Sequence, residues 1–371
     1  MDPVSLPDPH AIRVFGSVHR YHQGPGAVAL AGEVAASLGS QPLLVADAIV
    51  HGLLFDTAAA GCKQHGLDLR WVEVKGDVTR AAVQALVAQA REGGRAPDVV
   101  LAAGGGKGVD TGKAVARELG ARLLVLPTSA SNDGPCSKAF VYYDDQHRLE
   151  SVEFIARNPD AVLVDTRLLA KAPRALLESG IGDALCKLYE GDQARAANGL
   201  NLFGGSATIA SRQISIACDR TIRDDAVEGL RALDTGEPTP AFERLTEALV
   251  LLSGLAFENS GLSIAHSMTR GLPLAAGSES TLHGLHVAYG LLVQFVLEGR
   301  SRGFMDDQMD FHRAVGLPVN LAGLGVHDSG AETIRRVAQG TMASPHLVHF
   351  QRPLEAADFE TAMHRLETLA A

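Results

Sequence analysis

Residues 101–116 read LAAGGGKGVDTGKAVA, from Leu101 to Ala116. An apolar run of buried-strand type, beginning after Asp98, meets three consecutive glycines, Gly104, Gly105 and Gly106. Beyond them Val109, Ala114 and Val115 recur at helical spacing. A strand, a glycine turn and a helix together make a cradle for phosphate: glycine lets the backbone approach an anion, and the helix N-terminus offers unpaired N–H groups and a positive dipole end. The stretch matches neither GxGxxG, since Val109 stands where the third glycine belongs, nor GxxxxGK[ST], since Ala114 follows Gly112-Lys113. It predicts a phosphate turn of another kind. The alternative is a tight strand-to-helix turn without a ligand, which would leave three costly glycines unexplained.

Working outward, short apolar runs alternate with amphipathic ones. Residues 43–46, 69–74, 99–103, 123–127 and 158–165 read as strands, 27–38, 49–62 and 78–91 as helices, and 139–143 with 149–155 as a hairpin. Residues up to about 27 read as a lead-in segment and a turn. This alternation predicts a doubly wound, mainly parallel sheet. Asp47 ends the first of these strands, where a carboxylate either bonds a ribose and selects NAD over NADP, or caps the following helix. The loop 127–137, PTSASNDGPCS, is dense in small hydroxyl and amide groups that can hydrogen-bond a ring amide or a sugar, or merely build turns. After residue 167 alanine- and leucine-rich helical segments take over, over 173–190, 201–220, 242–270, 281–299, 305–315 and 357–369. The expected organisation is an α/β dinucleotide-binding domain over 1–167 and a helical domain over 168–371.

Composition narrows the function class. The 371 residues carry a formal net charge of -10, which argues against nucleic acid as a partner. Four cysteines without a CxxC pair point to free thiols in a reducing, cytoplasmic setting. The N-terminus MDPVSLPDPH lacks the basic and apolar regions of a secretory signal. The best membrane candidate, 248–257, is broken by Ser253 and Gly254, so no membrane partner is expected.

The helical half holds Asp183, His266 and His283, one carboxylate and two imidazoles, which can form a three-ligand metal site with an open position. Spacing alone leaves other readings open among 14 histidines. Asp183 can cap a helix or pair with Lys187 at i+4, His266 can be a core residue within an apolar helix, and His283 with His286 can form a solvated face.

Six stretches in order resemble the glycerol dehydrogenase branch of the iron-containing (group III) alcohol dehydrogenases: GGGKGVDTGK (104–113), PTSASNDGPCS (127–137), NPDAVLVD (158–165), SGIGDAL (179–185), GLSIAH (261–266) and HGLHVAYG (283–290). The resemblance runs from about residue 24 to 354. It implies the dehydroquinate synthase-like architecture of that family, with an α/β dinucleotide-binding domain, an all-α domain and the active site in the cleft. It implies NAD as cofactor, with NADP open if Asp47 is only a cap, and a metal held by Asp183, His266 and His283, zinc in the glycerol branch or iron. Gly106, Lys107, Gly108, Val109 and Asp110 would contact the dinucleotide, with Gly104 and Gly105 shaping the turn. Thr128, Ser129, Ala130, Ser131, Ser137, Ala139 and Tyr143 would line the nicotinamide side, and Asp133 would meet a substrate hydroxyl. The implied reaction interconverts a small polyol or secondary alcohol with its ketone by hydride transfer, in a homo-oligomer.

The chain departs from that pattern at three places. Histidine-glycine-glutamate-lysine becomes His283-Gly-Leu-His286, leaving His286 as proton relay, extra ligand or surface residue. Lys187 stands where iron-dependent relatives carry a histidine; it can pair with Asp183, attract an anionic substrate or replace a metal electrostatically, as a hydroxycarboxylate (2-hydroxy or 2-oxo acid) dehydrogenase would use it. Residues 225–239 read as a charged, mobile loop. Glycerol-1-phosphate dehydrogenase or dehydroquinate synthase-like chemistry, and an inactive nucleotide-binding subunit, are the remaining readings.

Overall fold

In a computed structural model, residues 7–92, 94–146 and 148–370 are described. The start of the N-terminal stretch read against a secretory signal lies outside them. The chain forms two compact units, neither continuous in sequence.

The α/β unit comprises residues 17–173 and 231–254. Its strands are β1 (Tyr21–Gly24), β2 (Pro42–Ala46), β3 (Arg70–Glu73), β4 (Val99–Gly104), β5 (Arg122–Pro127), β6 (Ala139–Tyr143), β7 (Leu149–Phe154) and β8 (Ala161–Asp165). Six are parallel in the order β1-β8-β5-β4-β2-β3, while β6 and β7 pair as the antiparallel hairpin that the sequence predicts. Every residue of β2, β4 and β8 is buried, as expected of strands covered on both faces. Leu44, Leu101, Leu124 and Leu163 from four adjacent strands anchor one core cluster. The chain runs outward from β2 to β3, then returns to β4 on the other side of β2. The sheet's switch point is therefore between β2 and β4, where open α/β sheets bind ligands at the carboxyl ends of their strands.

The connecting helices are α1 (Ala31–Leu38), α2 (Ala48–Gln64), α3 (Arg80–Arg91), α4 (Gly106–Leu119) and the short α5 (Thr166–Leu169). Strand β1 lies in the segment expected as lead-in chain: its residues Tyr-His-Gln-Gly carry no apolar run, and it pairs at the sheet edge with β8 alone.

The helical unit comprises residues 7–16, 174–230 and 255–370. Its helices begin with α6 (Arg174–Leu185) and α7 (Lys187–Ala196), separated at Cys186 where a single helix over 173–190 was expected. Helix α8 (Ile209–Thr235) follows and runs on into the other unit. It corrects the loop expected at 225–239. Ile222, Ala226 and Leu230 are buried at i, i+4 and i+8, so most charges of this stretch, Asp225 excepted, lie outside the core face of a helix that ends only at Gly236, in the left-handed region at φ +68°. The segment expected as one helix over 242–270 is broken into α9 (Pro240–Glu247), a π-helical turn (Ala248–Leu252), α10 (Ser253–Ser260) and, beyond Gly261 at φ +92°, α11 (Ile264–Ser267). Then come α12 (His283–Leu297), α13 (Arg302–Ala314), α14 (Ala331–Thr341) and α15 (Ala356–Ala370). Among the described residues no single helix is long and apolar enough to cross a membrane.

Residues 231–254 join the α/β unit through polar and close contacts. Glu243 accepts hydrogen bonds from Gln23 Nε2 at 2.8 Å and from Thr166 Oγ1 at 2.6 Å. A Cβ on Gly254 would stand 3.0 Å from the Asp133 carbonyl oxygen and the Cys136 side chain.

Candidate active site

The glycine turn closes the carboxyl end of β4 at the switch point. Gly104 sits at φ +139°, a conformation closed to residues with a Cβ, and its carbonyl accepts from the Thr128 N–H at 2.9 Å. A Cβ on Gly108 would lie 2.4 Å from the Ala103 carbonyl oxygen, so the first turn of α4 packs directly on its own strand. Gly105 caps α4 without a side-chain bond, which leaves the first N–H groups of α4 to an external acceptor. These residues fit a dinucleotide phosphate by the nature of that N-terminus.

The 127–137 loop folds beside the turn: a Cβ on Gly106 would stand 2.6 Å from Asn132 Nδ2. Lys113, fully buried in α4, fastens the loop, donating to the carbonyls of Gly134 at 2.6 Å and Ala139 at 2.7 Å and to Ser137 Oγ at 3.3 Å. Ser137 also bonds the Gly134 carbonyl, so its hydroxyl is engaged in holding the loop. Ser129 Oγ donates to Ser131 Oγ, Ala130 is buried, and Asp133 precedes the tight turn Gly134–Cys136. Asp110 accepts from the Val141 N–H at 3.1 Å; burial pushes its carboxyl up to about 6, with Lys113 and that bond opposing and Asp133 adding to the rise. Tyr143 ends β6, and its N–H bonds the Val78 carbonyl. Lys107 is half-exposed and pairs with Asp77 at 2.5 Å. Asp47 takes the capping role left open by the sequence: Oδ1 accepts from the Val50 N–H at 2.8 Å at the head of α2.

In the helical unit Asp183, His266 and His283 converge from α6, α11 and α12. Small residues allow it. A Cβ on Gly284 would lie 1.7 Å from the Ser179 carbonyl oxygen, and one on Gly182 2.3 Å from the Gly284 carbonyl oxygen, so α6 and α12 meet backbone to backbone. Asp183 and His283 are the neighbours of those glycines. His266 Nε2 is 3.3 Å and His283 Nε2 3.9 Å from Asp183 Oδ1, and one donor atom from each residue lies within 4.8 Å of the others. A carboxylate and two imidazoles at this spacing fit a divalent cation.

Lys187 enters the same cluster. Its Nζ is 3.0 Å from Asp183 Oδ1 and 3.4 Å from His266 Nε2, and both Asp183 and Lys187 are 1% exposed. Burial alone would raise the Asp183 pKa, but Lys187, then His266 and His283, hold its carboxyl well below the usual range.

Sequence reasoning missed Glu190. This fully buried carboxylate accepts from His266 Nδ1 at 2.6 Å and from the backbone N–H groups of His266 and Ser263 at 2.9 and 2.8 Å. Those bonds orient the ring and turn Nε2 toward Asp183. Burial works against the charge, yet His266 and Lys187 lower the Glu190 pKa to about 2. For His266, burial and Lys187 oppose protonation, but Glu190 and Asp183 prevail and its pKa is raised. Asp183, Lys187 and Glu190 follow at i, i+4 and i+7, and that one-face spacing is the signal that could have found the third member.

Cys186 Sγ, 3.7 Å from His266 Nδ1, belongs to a second donor group with Glu190 and His266. Burial pushes its thiol up to about 12, so it stays protonated and is a poor ligand. His286 is 4% exposed, which corrects the readings of it as a surface residue and as part of a solvated face with His283. Its Nε2 has no hydrogen-bond partner, and burial, with His283, lowers its pKa to about 4.

A switch-point glycine turn and a carboxylate–imidazole cluster are the parts that a dinucleotide-linked, metal-dependent oxidoreductase requires. The sequence profile of the iron-containing alcohol dehydrogenases matches residues 22–173. Over 91% of this chain and 92% of the relative, identity is 34% both to a glycerol dehydrogenase of Pseudomonas putida and to a glycolaldehyde reductase of Halobacterium salinarum. The crystal structure of a probable glycerol dehydrogenase from Sinorhizobium meliloti superposes with a TM-score of 0.89 at 34% identity, covering 97% of this chain and 99% of that one. The chain belongs to the iron-containing alcohol dehydrogenase family.

Proposed function

We propose that the protein is an NAD-linked, metal-dependent dehydrogenase that interconverts a small polyol of the glycerol class and its ketone. The observation that carries this reading is the convergence of Asp183, His266 and His283 on one point, with similarity to glycerol dehydrogenases along nearly the whole chain in support. Asp183, His266 and His283 hold the cation, and Glu190 orients His266. When bound, a divalent cation supplies acidification of the substrate hydroxyl, and NAD supplies the hydride acceptor.

The N–H groups at the head of α4, from Gly106 to Gly108, bind the dinucleotide phosphates, and Lys113 keeps the 128–139 segment in place to line the nicotinamide. Asp133 orients a second hydroxyl of the polyol. His286, kept neutral at pH 7 by burial and with a bare Nε2, passes the departing proton onward without holding it. A cytoplasmic homo-oligomer is part of the proposal; four buried free cysteines suit a reducing setting.

The test is elemental analysis with NAD-linked oxidation of glycerol and related diols, and reduction of ketones and 2-oxo acids, before and after chelation. Polyol turnover lost to the chelator and restored by added zinc or iron is the expected result. A second reading, a 2-hydroxy acid as substrate, is favoured by the Lys187 ammonium beside Asp183; 2-oxo acid reduction that survives chelation would select it.

A further inference from the structure

The cluster that fits a metal already contains a cation. Three groups crowd a single oxygen, Asp183 Oδ1: Lys187 Nζ at 3.0 Å, His266 Nε2 at 3.3 Å and His283 Nε2 at 3.9 Å. Lys187 Nζ also stands 3.4 Å from His266 Nε2, so it lies against two of the three atoms that an ion would use. The side chain is 1% exposed, and its Nζ stands 5.5 Å from the centre of the Phe257 ring, whose face is a further attraction for a cation. Two like charges in one buried pocket repel strongly, because little water is present to screen them.

We propose that Lys187 is a resident counter-cation of the ligand cluster, which keeps the cluster assembled without metal and makes divalent metal binding weak and reversible. The inference rests on the assignment of Asp183, His266 and His283 as metal ligands. Asp183 and Glu190 bring two buried carboxylates to this spot, and Lys187 faces both. Removing the ammonium leaves those carboxylates undercompensated, which weakens the metal-free fold and strengthens the demand for an external cation. The same ammonium opposes an incoming ion by direct repulsion and by holding the Asp183 lone pairs.

The test compares zinc binding by the whole protein and by its Lys187→Met and Lys187→Thr variants, using competition with a chelator of known affinity and melting of metal-free and zinc-loaded samples. The expected result is zinc affinity about 10- to 100-fold higher in the variants. Metal-free variants should also melt below the metal-free parent and gain more from zinc than the parent does. Zinc held as tightly by the parent as by either variant overturns the proposal. If neither variant folds, the parent decides alone. A melting temperature that barely changes when zinc is stripped supports a resident cation, and collapse of the fold on stripping overturns it. Equal, tight zinc binding with zinc-dependent polyol turnover would fell this inference and leave the ligand assignment standing. No zinc binding by any of the three proteins would fell both.

Discussion

At the scale of single residues, the site depends on groups that never touch a substrate. Glu190 is one: a carboxylate on Nδ1 fixes which imidazole nitrogen of His266 is left for a ligand. Glu190→Gln keeps the shape and loses the charge, so zinc affinity should fall about 10- to 100-fold and kcat with it, with NADH affinity unchanged. Chelator competition and NADH fluorescence read the two effects separately. Asp110 gives a pH signature. Its folded pKa of about 6 lies above the ordinary 3.8, so its protonated form favours the fold. That contribution is present below pH 4 and is lost as pH rises through 6. Asp110→Asn should flatten this part of the stability profile and gain about 1–2 kcal/mol at pH 7, measured by urea unfolding at several pH values.

At the scale of elements, backbone contact between helices sets the Asp183–His266–His283 cluster. Gly284→Ala places a methyl group on the Ser179 carbonyl and should cost about 3 kcal/mol or more, because both helices must move apart. Gly52→Ala, in open space on α2, should instead stabilise by about 0.5–1 kcal/mol, and thermal melting of the pair separates crowding from mere glycine loss. Elements were legible in the sequence where burial is uniform along them. Strands β2 and β4 are continuous apolar runs, β5 and β8 are apolar but for Arg122 and Asp165 at their ends, and each lies within about two or three residues of its expected place. Signals failed where tertiary partners decide. Polar β1 is a strand only because β8 lies beside it, α14 shows no long apolar run, and Gly261 breaks a segment that composition alone makes one helix. The cluster members Asp183, His266 and His283 are visible as residue types, but the backbone packing at Gly284, where a Cβ would stand 1.7 Å from the Ser179 carbonyl oxygen, is what brings them to one point.

At the scale of the molecule, the glycine turn after β4 and the Asp183 cluster belong to different compact units. Asp183→Asn should therefore lower turnover at least about 100-fold and leave NADH affinity within about two-fold, by fluorescence titration. A joint loss of both would mean that the ligand cluster also builds the nucleotide site. The interleaving of the units has a further consequence during synthesis. The sheet is complete at β8, yet Glu243, which bonds Gln23 and Thr166, and Gly254, which packs against Asp133, emerge from the ribosome about 80 residues later. At roughly 5–20 residues per second that is a wait of several seconds. A nascent α/β unit must hold its edge and its 127–137 loop uncovered while the first helices of the other unit are made, so the chain is most exposed to proteases and chaperones in that interval.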